Sequence, residues 1–120
     1  MAGEEYRAAA RAGIGARDRS TAVLIGREED LERASRSLKA MAHPLRLKIL
    51  CTLGDGEFSV RDIVERVGTS QSNISQHLAV LRDKGILTCR KNANRVYYQV
   101  GDARTLRLIE MMRELFCAGE

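Results

Sequence analysis

Apolar residues recur at helical intervals from Asp30 onward: Leu31, Ala34, Leu38, Met41 and Ala42 share one stripe. Glu28, Glu29 and Asp30 crowd its start, where the helix dipole favours carboxylates. Pro44 ends this helix, because the residue before a proline avoids helical backbone. The same proline opens a second helix, roughly 44–53, with Gly54 past its end. Ser59-x-x-Asp62 resembles a capping box ahead of Val60, Ile63, Val64 and Val67, which predicts a third helix, with Gly68 as its left-handed terminator. Only Thr69 and Ser70 separate it from a fourth, about 71–83, closed by Gly85. Two short helices joined by a tight Gly-containing turn are a helix-turn-helix signature.

Two strand-like runs follow, Ile86 to Arg90 and Arg95 to Val100, with Lys91-Asn92-Ala93-Asn94 as the turn of a hairpin. Asp102 is suited to cap a last helix that runs to about Cys117. Its apolar residues, Leu106, Leu108, Ile109, Met111, Met112, Leu115 and Phe116, form a stripe too wide for one contact face. This helix is therefore expected to pack on its own core and on a second subunit. The pattern predicts a mainly α fold, a winged helix-turn-helix of about five helices plus a β-hairpin wing, homodimeric. It occupies residues 27–120, behind a mobile Ala-, Gly- and Arg-rich tail at 1–26.

On a helical wheel of 100° per residue, Ile74, Leu78 and Leu81 mark the core side of the fourth helix. Ser72, Gln76, Ala79 and Asp83 fall on the opposite side, flanked by Ser75 and Asn73. No charge occurs from 69 to 81. Amide and small side chains suit a helix lying against base edges: Gln and Asn pair with adenine, Ser with any base, and Ala meets a thymine methyl. His77 sits nearer the core side, which favours packing or a phosphate contact over base reading.

Charge sharpens this picture. The chain has 20 Lys and Arg against 16 Asp and Glu, net +4. Residues 82–95 hold Arg82, Lys84, Arg90, Lys91 and Arg95 against Asp83, which is also net +4, so the whole surplus is one segment. Alone it would be an ordinary solvated basic loop. Behind an uncharged helix it supplies phosphate contacts that position a base reader. The expected DNA-binding set is Ser70, Gln71, Ser72, Asn73, Ser75, Gln76, His77, Arg82, Arg90, Lys91 and Arg95.

Other classes recede. No apolar run approaches the ~18 residues of a membrane span, and the N-terminus lacks an apolar signal core, which points to a cytoplasmic protein without a membrane partner. Three cysteines, Cys51, Cys89 and Cys117, are too few and too spread for a disulfide scaffold, and none forms a CxxC pair. No cofactor is expected.

The runs Leu38-Lys39-Ala40-Met41-Ala42-His43-Pro44-Leu45-Arg46-Leu47-Lys48-Ile49-Leu50 and Ser70-Gln71-Ser72-Asn73-Ile74-Ser75-Gln76-His77-Leu78-Ala79-Val80-Leu81-Arg82, with Arg95-Val96-Tyr97-Tyr98, resemble the ArsR/SmtB family of winged-helix repressors. The resemblance covers roughly residues 30–117. It implies a homodimer on double-stranded operator DNA, an interface built from the first and last helices, and release of DNA when an inducer binds. Metal-sensing members carry thiolate, imidazole or carboxylate ligands on the third or last helix. Here residues 55–67 contain no Cys or His, and 102–117 no His, so no metal site is expected.

Cys51 and Cys117 resemble instead the pair of the persulfide- and redox-responsive subgroup typified by BigR, SqrR and HlyU. The resemblance implies that a persulfide or oxidant links them and that DNA is then released. The plainer alternative is two buried, inert thiols, since free Cys is commonly buried. Cys89 has no counterpart in that pair and is expected to be structural. Two further alternatives remain: a metal(loid)-responsive repressor with an unusual site, and a thiol-dependent enzyme. The latter lacks an adjacent base, and no enzymatic activity is expected.

Overall fold

Five helices and three strands succeed one another in a computed structural model that describes residues 24–117. Most of the expected N-terminal tail lies outside the described residues. The helices are α1 (Glu28–Met41), α2 (Pro44–Leu53), α3 (Val60–Val67), α4 (Gln71–Asp83) and α5 (Ala103–Phe116); the strands are β1 (Phe58–Ser59), β2 (Leu87–Asn92) and β3 (Arg95–Val100). The chain divides into two compact units between Ser35 and Arg36. In the first, Arg33 meets Asp30 at 3.5 Å, an exposed pair one turn apart. The second contains everything that follows.

Local chemistry sets the helix ends. Ser59 is 3% exposed, and its hydroxyl accepts from the Asp62 amide at 3.1 Å. Gly68 ends α3 at φ 87°, a left-handed conformation that a side chain would strain. Pro44 begins α2, and His43 caps it: imidazole Nδ1 accepts from the Leu45 amide at 3.1 Å. Asp102 caps α5 by accepting from the Arg104 amide at 2.8 Å. The Arg104 guanidinium bonds the same carboxylate and, with that amide, holds its pKa down to about 2.

The wing differs from its sequence expectation in two ways. The antiparallel ladder runs from Leu87–Val100 to Asn92–Arg95, so Lys91 and Asn92 belong to β2 and the loop shrinks to Ala93 and Asn94. Ala93 takes φ 56°, which allows so tight a reversal. The second difference is β1, which pairs Phe58 with Tyr98 and Ser59 with Tyr97. It makes a three-stranded sheet in the order β1-β3-β2. Two residues are too short to show a strand's alternation.

The core joins α2, α3, α4 and the root of β2. Ile49, Leu50, Leu53, Ile63, Ile74, Leu78, Leu81 and Leu87 are fully buried. Each such side chain contributes about 1.5–3 kcal/mol on leaving water. On α5 only Ile109 is buried, while Leu108, Met111, Met112, Leu115 and Phe116 remain exposed.

Candidate nucleic-acid interface

The N-terminus of α4 is built by its own hydroxyls. Ser70 Oγ accepts from the Asn73 amide at 3.2 Å, and Asn73 Nδ2 donates to Thr69 Oγ1 at 3.2 Å. Ser70 and Asn73 thus hold the helix start as well as bordering the candidate interface. Ile74, Leu78 and Leu81 are at most 1% exposed and anchor the helix in the core. Gln71, Ser72, Ser75, Gln76 and Ala79 are exposed, as the wheel requires, and Asn73 is half-buried.

His77 lies half-buried beside α2. Its Nδ1 accepts from Arg46 Nε at 3.2 Å, and its ring centroid is 4.6 Å from that of His43. Burial lowers its pKa below 6.5, and the charges of His43 and Arg46 act in the same direction. Neither histidine neighbour was visible in the helical wheel, which sees only one element.

The basic segment splits by partner. Arg90 Nε donates to Glu57 Oε2 at 2.8 Å, and its guanidinium lies 4.9 Å from the Tyr97 ring centroid. That hydrogen bond holds the Glu57 carboxyl below its usual range. Arg90 therefore ties β2 to the segment before β1 and has less charge to offer a phosphate. Lys84 stands 3.9 Å from Asp83. Arg82, Lys91 and Arg95 are exposed, and Arg95 lines a crevice of about 490 Å³ with Ser59, Arg61, Gln71 and Asn94. The start of α3, the start of α4 and the wing loop thus share one opening. Arg61 belongs to this surface and was missed from sequence, because residues 1–81 nearly balance in charge and bury its signal.

The cysteines are free thiols, and Cys51 on α2 and Cys117 at the end of α5 are both exposed. Neither thiol is buried in the subunit core. Cys89 is half-buried on β2, paired with Tyr98 across the ladder. Leu47, one turn before Cys51, lines an apolar groove of about 240 Å³ with Leu38 and Met41 of α1 and Leu108, Ile109 and Met112 of α5. Helices α2 and α5 therefore border one groove. Among the described residues no group of three His, Cys, Asp or Glu side chains is arranged to hold a metal ion.

Residues 43–88 match the family described as bacterial regulatory protein, arsR family. Over 96 residues, 77% of this chain and 84% of the relative, the sequence is 38% identical to the biofilm growth-associated repressor of Xylella fastidiosa (strain 9a5c). The chain belongs to the arsR family. The matched segment of this ArsR-family chain begins at the α2 cap and contains the whole helix-turn-helix. HlyU from Vibrio cholerae N16961 has the same fold, with TM-score 0.72 and 42% identity over 76% of this chain and 99% of that one. Its reduced form gives TM-score 0.70 over 75% and 95%. A winged helix-turn-helix DNA-binding domain from Mycobacterium bovis, solved as a homodimer, gives TM-score 0.67 and 29% identity over 71% and 79%. The chain is thus a DNA-binding regulator of the ArsR family with a mainly helical winged helix-turn-helix fold. The family is one of regulatory proteins, not enzymes. No helix among the described residues is long and apolar enough to cross a membrane.

Proposed function

We propose that this ArsR-family chain is a homodimeric repressor that senses persulfide or oxidant through Cys51 and Cys117 and then releases its operator. The observation that carries this reading is that both thiols are free and exposed, on helices that border one groove. The apolar row on α5 supports a second subunit, and the homodimeric Mycobacterium bovis domain supports the same assembly. On duplex DNA, Ser72, Ser75 and Gln76 meet base edges, while Arg82, Lys91, Arg95 and Arg61 meet phosphates. A two-fold dimer places its two reading helices about one helical turn, ~34 Å, apart.

The sensing chemistry needs no further cofactor. Each thiolate takes the sulfane sulfur of a low-molecular-weight persulfide and releases the corresponding thiol. The two protein persulfides then condense to a trisulfide with loss of one hydrogen sulfide. With peroxide, one thiolate attacks an oxygen, the O–O bond breaks and hydroxide leaves, giving a sulfenic acid; the second thiolate then displaces hydroxide from its sulfur to give a disulfide. Either link joins α2 to α5 and biases the placement of the reading heads.

The test is operator release on adding glutathione persulfide, read beside the intact mass. The wild-type protein should gain one sulfur, lose two hydrogens and leave the DNA. Cys51→Ser and Cys117→Ser should bind as tightly when reduced and stay bound when treated. Normal release by either variant overturns the sensor. Catalytic turnover of persulfide with a thiol reductant would favour an enzyme instead.

A further inference from the structure

Arg46, on the first turn of α2, reaches two other helices. Its Nη1 donates to the Ala40 carbonyl in the last turn of α1 at 3.0 Å, and its Nε donates to His77 Nδ1 on α4. Neither bond is incidental. In an unbroken helix the Ala40 carbonyl would accept from the amide four residues on, but that residue is Pro44, which has none. The Ala42 and His43 amides turn back to Leu38 and Met41. The Arg46 guanidinium supplies the donor that Pro44 withholds.

On α4 the anchors Ile74, Leu78 and Leu81 are apolar, and apolar burial is non-directional. It decides which face of the helix is buried but leaves small rotations about the helix axis open. The bond from Arg46 is directional, and it grips the residue next to Gln76. We propose that Arg46 and His77 are positioning residues: the guanidinium, seated on the end of α1, fixes the rotation of α4 and so aims Gln76 and Ser72 at their bases. The proposal rests on α4 being the base reader.

The grip works only with neutral His77. As an acceptor at Nδ1, the ring carries its proton on Nε2; a second proton would set N–H against N–H and charge against charge. The groups facing the ring are His43, from the turn before α2, and Arg46. Both disfavour its protonation, as burial does.

The experiment compares affinity for a duplex selected by the protein from a random library with affinity for random-sequence duplex, at pH from about 8 to about 5. Arg46→Met and Arg46→Lys should each lower the ratio of selected to random affinity about tenfold or more. Affinity for random duplex and the helical circular dichroism should stay near wild type, because phosphate contacts lie elsewhere. His77→Asn keeps an acceptor near the Nδ1 position and cannot be protonated. It should retain the wild-type ratio at pH 8 and, unlike wild type, keep it at pH 5. His43→Asn keeps a capping acceptor and should leave the acid loss in place, which assigns that loss to His77. Undiminished discrimination in Arg46→Lys, or the same acid loss in His77→Asn as in wild type, overturns the proposal. Gln76→Ala reports on the underlying assignment alone: unchanged base choice there overturns α4 as reader, whatever the Arg46 variants do.

Discussion

Gln76 and Arg95 illustrate how differently two exposed polar residues on one surface should behave. Gln76 projects from the face opposite Ile74 and has no hydrogen-bonding partner among the described residues. Gln76→Ala should cost about 1–3 kcal/mol with the preferred base and little with others, read from a base-substitution panel. Arg95 is proposed to meet phosphate, whose charge does not depend on sequence. Arg95→Gln should weaken all duplexes alike and reduce the slope of log affinity against log salt by about 1. Arg90→Gln should change that slope less, because Glu57 already engages the guanidinium. Equal slopes for the two variants would show that the ion pair opens on DNA. His77 adds an acid dependence to stability. Its folded pKa lies below the ordinary 6.5, so its contribution is full above 6.5. That contribution is lost as pH falls through the window between 6.5 and the depressed value. Urea midpoints measured across that window should fall for wild type and stay flatter for His77→Asn.

Helix and hairpin ends carry the next prediction. The Ser59 hydroxyl is buried and satisfied by the Asp62 amide while Ser59 also pairs in β1. Ser59→Ala should cost about 0.5–2 kcal/mol, read from chemical denaturation. Ala93→Gly should act in the opposite direction. Alanine at positive φ costs roughly 1–2 kcal/mol, more than the entropy glycine adds to the unfolded chain. The boundaries of α2, α3 and α4 were legible because proline, serine and glycine act within a few residues of themselves. The His43 cap was not, because histidine is an uncommon capping residue. Strand β1 escaped notice for lack of length.

At the scale of the molecule, the uncovered face of α5 is the candidate dimer interface. Leu115 and Phe116 are 70% and 73% exposed and extend the apolar row of Leu108, Met111 and Met112, and a contiguous exposed apolar patch marks an interaction site. Their replacement touches no core contact of the subunit. Leu115→Glu with Phe116→Glu should yield a folded monomer in sedimentation equilibrium and weaken operator binding, since two half-sites then bind independently. A dimer that persists would move the interface elsewhere.

The sequence by itself determined the helices, the hairpin, the uncharged outer face of α4 and the location of the surplus charge. Each of these depends on periodicity, capping or composition within a short span. The exposed amides of α4 stood where the wheel put them, because Ile74, Leu78 and Leu81 leave the helix only one side to bury. Tertiary structure decided what each charged or reactive group meets. Arg90 finds Glu57 from 33 positions away, and Arg46 finds His77 from 31. It also decided that Cys51 and Cys117 face solvent. Such pairings arise from how helices and strands pack, and packing is set by the sum of many weak apolar contacts. No local motif encodes that sum.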